Sequence, residues 1–236
     1  MHKTKSSKRT KISIVLVLSM TLIGFLARQK MDSDYTQGQS REEWLAEYQK
    51  EDNYYLEMAA QIMDTSFDFT SLELIEIGAG PRYFSKWGHI FLRFVGSREN
   101  LKSDLTVSFL VDANEYEVDN WKGFFGGKYA IYPLIKPMQV HIHDYVEIEK
   151  RTMTRYPVSI NKEQKHKLKD ILRRWIKDRS LMGTWAFFDN NCTNLLNRYL
   201  FEAGLFVHPL TESNITPVEL LEHFRKEGIV SESIAL

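Results

Sequence analysis

Cysteine is nearly absent from this sequence: Cys192 is the one cysteine among 236 residues, so the chain forms no intramolecular disulfide. Acidic residues are absent from the first 30 positions, which carry seven of the 31 Lys and Arg residues. The formal net charge of zero is therefore uneven, because residues 31–236 carry 24 basic and 31 acidic side chains, a net charge of −7. An acidic domain argues against nucleic acid as a partner. The hydrophobic content of 43%, without repeats, predicts one compact domain.

The N-terminus is predicted to direct export. Five basic residues precede an apolar run over residues 12–27, a pattern typical of a Sec-type signal whose N-terminus stays inside. Phe25 and Leu26 occupy positions where a cleavage site needs small residues. Residues 1–30 are therefore predicted to be an uncleaved membrane anchor or a cleaved export signal. Residues 31–236 would then form a single periplasmic domain.

Cys192 is a candidate nucleophile because of its position in the chain. Asp189, Asn190 and Asn191 are good N-cap residues, and an apolar stripe of helical spacing follows them up to Gly204. The sequence thus places Cys192 in the first turn of a helix, where unpaired N–H groups and the helix dipole favour a thiolate. The same N–H groups can stabilise an oxyanion. The alternative is a small, buried and inert hydrophobic residue.

His89 is the candidate base for this cysteine. It begins a β-rich run over residues 89–94 that follows a turn at residues 78–81. A cysteine nucleophile needs an imidazole that takes its proton and later returns it to the leaving group. A hairpin with the next strand, residues 105–112, would bring Asp112 or Asn114 near His89, where a carboxylate such as Asp112 can orient the imidazole. The alternative is that Asp112 simply ends a strand in a turn.

Two segments carry a resemblance to a known family. GHIFLRF at residues 88–94 and FFDNNCTNLL at residues 187–196, with FFGGKYAIYPL between them, resemble the Lnb N-terminal periplasmic domain family over roughly residues 72–206. The resemblance implies an α+β, permuted papain-like domain akin to the lecithin–retinol acyltransferase group, with an antiparallel sheet packed against the cysteine-bearing helix. It also implies thiol-based acyl transfer, with Cys192 as the nucleophile and His89 as its base. No cofactor is predicted.

Four further residues are assigned to substrate binding. Phe124 and Phe125 lie in an aromatic, glycine-rich loop that suits an acyl chain, and core packing at a tight turn is the plainer alternative. Trp87 lies two residues before His89, and Asn191 directly precedes Cys192.

Two histidines resemble half of a metal site. A strand over residues 140–144 would place His141 and His143 on one face, as metal ligands often lie. No third ligand follows at a recognisable spacing, so we interpret this segment as an exposed polar edge and predict no metal.

A basic amphipathic helix is predicted over residues 161–177. Asn161 is its N-cap, and Gln164 completes a capping box. Its positive face suits either anionic lipid head groups or solvent. A further helix is predicted to begin at Thr216, with Pro217 in its first position.

The functional hypothesis is an exported acyltransferase that forms an S-acyl enzyme on Cys192. Its expected partners are a phospholipid donor, the N-terminal amine of a lipoprotein as acceptor, and the bacterial membrane. Its expected location is the periplasm, either anchored to the inner membrane or secreted after cleavage. Two alternatives remain open: a papain-like cysteine peptidase or amidase acting on cell-wall or peptide substrates, and a non-catalytic interaction domain.

Overall fold

A computed structural model describes residues 55–80, 85–97, 100–111, 129–186, 189–210 and 216–236. All of them belong to the compact unit Leu45–Leu236. The predicted export segment, residues 1–30, lies outside the described residues. Within the described ranges, no helix has both the length and the apolar character needed to cross a bilayer.

The described strands form one antiparallel sheet. Its members are β1 (Ser71–Ile77), β2 (His89–Val95), β3 (Leu105–Val111), β4 (Tyr129–Pro137), β5 (Met153–Val158), β6 (Thr184–Trp185) and β7 (Ile234–Ala235). The strand order is β6-β4-β3-β2-β1-β5-β7, which places β2 in the middle. In the β1–β2 register Ile77 faces His89, and in the β2–β3 register Arg93 faces Thr106. All seven residues of β2 are buried, because both faces of the sheet are covered at this point.

Three of the five described α-helices begin at a side-chain cap. The five are α1 (residues 55–63), α2 (Met138–His141), α3 (Lys162–Lys177), α4 (Cys192–Glu202) and α5 (Pro217–Lys226), with a π-helix at Ile142–Ile148 and a 3₁₀-helix at Arg179–Met182. Asn161, Asn191 and Thr216 each form a capping box at the start of α3, α4 and α5. A cap of this kind contributes about 1 kcal/mol, which explains why these local signals predict the three starts correctly.

The main core lies between one face of the sheet and the helices α3, α4 and α5. Ile90, Leu92 and Phe94 of β2 supply the sheet side of this core. Tyr199 of α4 packs edge-on against Phe109 of β3, with ring centroids 5.8 Å apart. Its hydroxyl donates a hydrogen bond of 2.8 Å to the carbonyl of Leu168 in α3. Each such buried side chain stabilises the fold by about 1.5–3 kcal/mol, so α4 is firmly held on the sheet.

A smaller core covers the opposite face. It consists of Ile75, Ile77, Phe91, Met138 and Met153. The segment from α2 through the π-helix lies over it, so the strand predicted at residues 140–144 is wrong. The physical reason is helical spacing: Met138, Ile142 and Tyr145 recur at intervals of four and three residues and all pack against this core.

A buried ion cluster joins β1, β2 and the connection that leads into β3. Arg93 is completely buried, and its Nη1 lies 2.6 Å from the Glu73 carboxylate. Its Nη2 lies 2.5 Å from Asp104, whose other oxygen accepts the Gly96 N–H at 3.2 Å. Glu73 also pairs with Arg155 at 3.3 Å. The cluster fixes the position of the strand that begins at His89.

The α+β class and the antiparallel sheet packed against the cysteine-bearing helix are thus confirmed.

Candidate active site

Cys192 is the first residue of α4, as the sequence predicts. The Asn191 side-chain oxygen caps the helix by accepting the backbone N–H groups of Thr193 at 2.8 Å and Asn194 at 3.0 Å. Because this cap holds the first turn, the position of the Cys192 sulfur is set by the backbone. The residue as a whole is partly exposed, and its sulfur is surrounded by protein atoms closely enough for burial to act on its pKa.

The surroundings of the thiol act on its pKa in two directions. Burial raises the pKa of Cys192, and hydrogen bonds from the Thr193 hydroxyl and from the N–H groups of Thr193, Cys192 and Ile90 lower it. Burial prevails, so the expected lowering of the pKa at the helix start is wrong. The resting group is a thiol near neutral pH. The Ile90 contact is informative because it places the sulfur against β2, one residue from His89.

His89 is buried at the beginning of β2 and is held there by a glycine. Gly88 has φ +79°, and a Cβ at this position would lie 2.6 Å from the carbonyl oxygen of Ile77. Burial lowers the pKa of His89 to about 3, and the positive charges of Arg151 and Lys136 act in the same direction. The imidazole is therefore neutral near pH 7 and holds a lone pair that can accept a proton.

Tyr145 connects the two candidate residues. Its ring centroid lies 6.1 Å from that of His89, and the Arg151 guanidinium lies 5.0 Å above its ring. Burial raises the pKa of Tyr145, and a thiolate on Cys192 raises it further. Tyr145 is thus within electrostatic range of the sulfur and in ring contact with the histidine. Its position on the π-helix is notable because such helices frequently occur at functional sites.

Arg151 supplies a fixed positive charge beside His89. Its Nε donates to the Gly78 carbonyl at 2.7 Å, and its Nη1 pairs with Glu149 at 2.9 Å. These bonds hold the guanidinium over Tyr145. They explain why the electrostatic environment keeps His89 neutral.

His141 is a neighbour of His89 that the sequence analysis placed instead on an exposed polar edge. It is buried, stacks on Phe91 with ring centroids 3.9 Å apart, and stacks on Tyr145 at 5.8 Å. His143 instead lies outside, where it pairs with Glu147 at 2.8 Å. The interpretation of both histidines as one exposed polar edge is therefore wrong, because helical geometry separates them. Among the described residues, no group of three His, Cys, Asp or Glu side chains could hold a metal.

Of the five other predicted site residues, the structure describes two. Trp87 is 44% exposed in the turn before β2, and Asn191 uses its oxygen as the helix cap. Asp112, Phe124 and Phe125 lie outside the described residues. The roles of all five stay predictions.

The arrangement combines a thiol at a helix start, backbone N–H donors around its sulfur, and a neutral imidazole on the neighbouring strand. These are the parts that thiol-dependent acyl chemistry uses.

Comparison with known proteins gives one family. No curated protein and no solved structure matches the chain. The family described as the Lnb N-terminal periplasmic domain matches residues 59–218, which is more than half of the chain and includes both His89 and Cys192. The match agrees with the resemblance carried by the two sequence segments. The chain therefore belongs to the Lnb N-terminal periplasmic domain family.

Proposed function

We propose that this protein is a periplasmic acyltransferase that forms an S-acyl enzyme on Cys192, with His89 as its base. The observation that carries the proposal is that the backbone N–H of Ile90, the residue that follows His89, lies near enough to the Cys192 sulfur to lower its pKa. This contact brings the thiol at the start of α4 to the strand position next to a neutral, buried imidazole. Membership of a periplasmic domain family supports the location.

The reaction has two half-reactions. His89 takes the thiol proton as the sulfur attacks the ester carbonyl of a phospholipid, and the N–H groups of Cys192 and Ile90 are the available oxyanion donors, since the Thr193 N–H is held by the Asn191 cap. The ester C–O bond then breaks, and the protonated His89 returns the proton to the leaving alkoxide. The N-terminal amine of a lipoprotein then attacks the thioester, so that an amide forms and the thiol is regenerated.

The fold proposed for this chemistry is a permuted papain-like domain. Its support is the chain order, in which β2 with His89 precedes α4 with Cys192 and α4 packs on the sheet. Residues 1–30 are proposed to anchor the domain to the inner membrane, because their basic flank and apolar run suit that task.

The test is intact-mass measurement of the full-length chain after incubation with phosphatidylethanolamine vesicles. The wild type should gain the mass of one fatty acyl group, in a bond that hydroxylamine cleaves. Cys192→Ser and His89→Ala should gain none. His143→Ala is the matched control, because this histidine is exposed and pairs with Glu147 away from the site, and it should be acylated like the wild type.

The acceptor is tested in the same experiment. A lipopeptide with a free N-terminal amine should discharge the adduct and gain the acyl group, and its N-acetylated form should not. An enzyme that is never acylated but reacts rapidly with iodoacetamide would instead be a cysteine hydrolase of peptide or cell-wall substrates. A thiol that reacts with neither the phospholipid nor iodoacetamide would favour the remaining alternative, a non-catalytic interaction domain.

A further inference from the structure

The tautomer of His141 is fixed by its hydrogen bond to Thr106. The Thr106 hydroxyl donates its proton to the Lys136 carbonyl at 2.7 Å. The same hydroxyl oxygen lies 2.9 Å from His141 Nε2. A hydroxyl has one hydrogen, so Thr106 must accept from His141, which places the ring proton on Nε2. Burial lowers the pKa of His141 well below its usual range, so Nδ1 carries a lone pair and is an acceptor.

The His141 ring is also fixed in orientation. It lies between Phe91, whose ring is 19° from parallel, and Tyr145, whose ring is 11° from parallel. Yet its buried Nδ1 has no hydrogen-bond partner among the described residues. A buried polar atom without a partner costs about 1–3 kcal/mol, so neither ring packing nor the Thr106 hydrogen bond accounts for this Nδ1.

His89 presents a matching atom. Its Nε2 is also buried and lacks a hydrogen-bond partner within the described part of the chain. Both histidine rings contact the same two rings, those of Phe91 and Tyr145. A charge on His89 also lowers the pKa of His141, in agreement with the shared ring contacts. An unpaired acceptor and a second unpaired ring nitrogen thus lie beside the same two aromatic rings.

We propose that His141 is a positioning residue for His89: its Nδ1 accepts, through one bridging water, the hydrogen bond of the His89 Nε2–H group. This link holds His89 in the tautomer whose Nδ1 carries the lone pair, and Nδ1 then takes the proton of Cys192. A water that bridges two buried ring nitrogens satisfies both, as buried waters generally do. The inference rests on the proposed function, because it gives the proposed base its tautomer.

Two substitutions of His141 separate this role from a structural one. In His141→Gln the side-chain amide nitrogen reaches the position of Nε2, so the Thr106 hydrogen bond is kept and the Nδ1 acceptor is lost. In His141→Asn the side-chain oxygen occupies the position of Nδ1, so the acceptor is kept and the Thr106 bond is lost. The readout is the rate of Cys192 alkylation by iodoacetamide in the full-length chain at pH 7.5.

The expected result is a loss of about tenfold in His141→Gln, the factor that one hydrogen bond of ordinary strength supports, with His141→Asn within about threefold of the wild type. Equal rates for His141→Gln and the wild type would overturn the inference, as would a larger loss in His141→Asn. His89→Ala is measured beside them. If it slows alkylation while His141→Gln does not, only this inference fails; if it has no effect, the proposed catalytic pair fails too.

A second measurement uses the wild type alone and does not depend on the folding of variants. Two-bond ¹H–¹⁵N correlation spectra of ¹⁵N-histidine-labelled full-length chain report which ring nitrogen carries the proton. Protonated Nε2 on both His89 and His141 is expected. A His89 protonated on Nδ1 would overturn the inference.

Discussion

Replacing Arg93 with methionine should destabilise the domain severely. The methionine fills a similar space but removes the one guanidinium that lies between two buried carboxylates. Glu73 and Asp104 have side chains only 8% and 7% exposed, so both carboxylates would be left in a site that water reaches poorly. Removing one partner of a buried ion pair generally costs about 3–5 kcal/mol, because the remaining charge is uncompensated.

The structure indicates which carboxylate bears most of this cost. Glu73 retains Arg155 as a partner at 3.3 Å. Among the described residues, Arg93 is the cation that pairs with Asp104. The expected loss is therefore near the lower end, about 3 kcal/mol, which is a large share of the 5–15 kcal/mol typical of a domain. Restoring neutrality with Asp104→Asn in the Arg93→Met background should recover part of it.

The assay is urea unfolding of the full-length chain, followed by the fluorescence of its five tryptophans. Lys167→Met is the matched control, because Lys167 pairs with Glu163 on the surface of α3 with side chains 48% and 75% exposed. That variant should lose less than about 0.5 kcal/mol. A loss below about 1 kcal/mol in Arg93→Met would refute the assignment of the cluster as a tightly coupled buried network.

Three further predictions concern the candidate site. The pKa of His89 lies at about 3 and that of Cys192 above its usual value, so the thiolate fraction, and with it the rate of Cys192 alkylation, should rise about tenfold per pH unit between pH 6 and 8. A rate that does not change with pH in this range would instead reveal a preformed thiolate–imidazolium pair. Gly88→Ala should lower the free energy of unfolding in urea by at least about 2 kcal/mol and slow the alkylation of Cys192. Gly228→Ala, at a residue with φ +68° but open space around it, should lower that free energy by only about 1 kcal/mol. Equal losses in the two variants would show that the contact with the Ile77 carbonyl is unimportant. Asn191→Ala should lower stability by about 1 kcal/mol with Asn191→Asp close to wild type, and a neutral alanine variant would contradict the capping role.

The parts of the site that the sequence predicts are those with local causes. The start of α4 at Cys192 follows from the Asn191 cap, and the start of α3 follows from Asn161 and Gln164. The placement of His89 at the head of a strand follows from alternation after a turn. Each of these signals lies within a few residues of the feature it predicts, so no knowledge of distant contacts is needed.

The parts that the sequence does not predict have tertiary causes. The alternating histidines at 141 and 143 suggest a strand, but the burial of Met138 and Tyr145 against the second core makes the segment helical. Tyr145 of this segment contacts His89, a residue more than 50 positions earlier in the chain, and no local sequence pattern indicates such a contact. The pKa of Cys192 is another example, because the helix start is visible in the sequence and the burial that outweighs it is not.

The burial of the Cys192 thiol also bears on its chemical lifetime. Oxidants such as peroxides and disulfides attack the thiolate, so a thiol whose pKa is raised is a slow target for sulfenic acid formation and for mixed disulfides. A thiol outside the cytoplasm is exposed to such oxidants and has no second cysteine in this chain that could rescue it. Keeping the sulfur protonated at rest therefore preserves it in the reduced form.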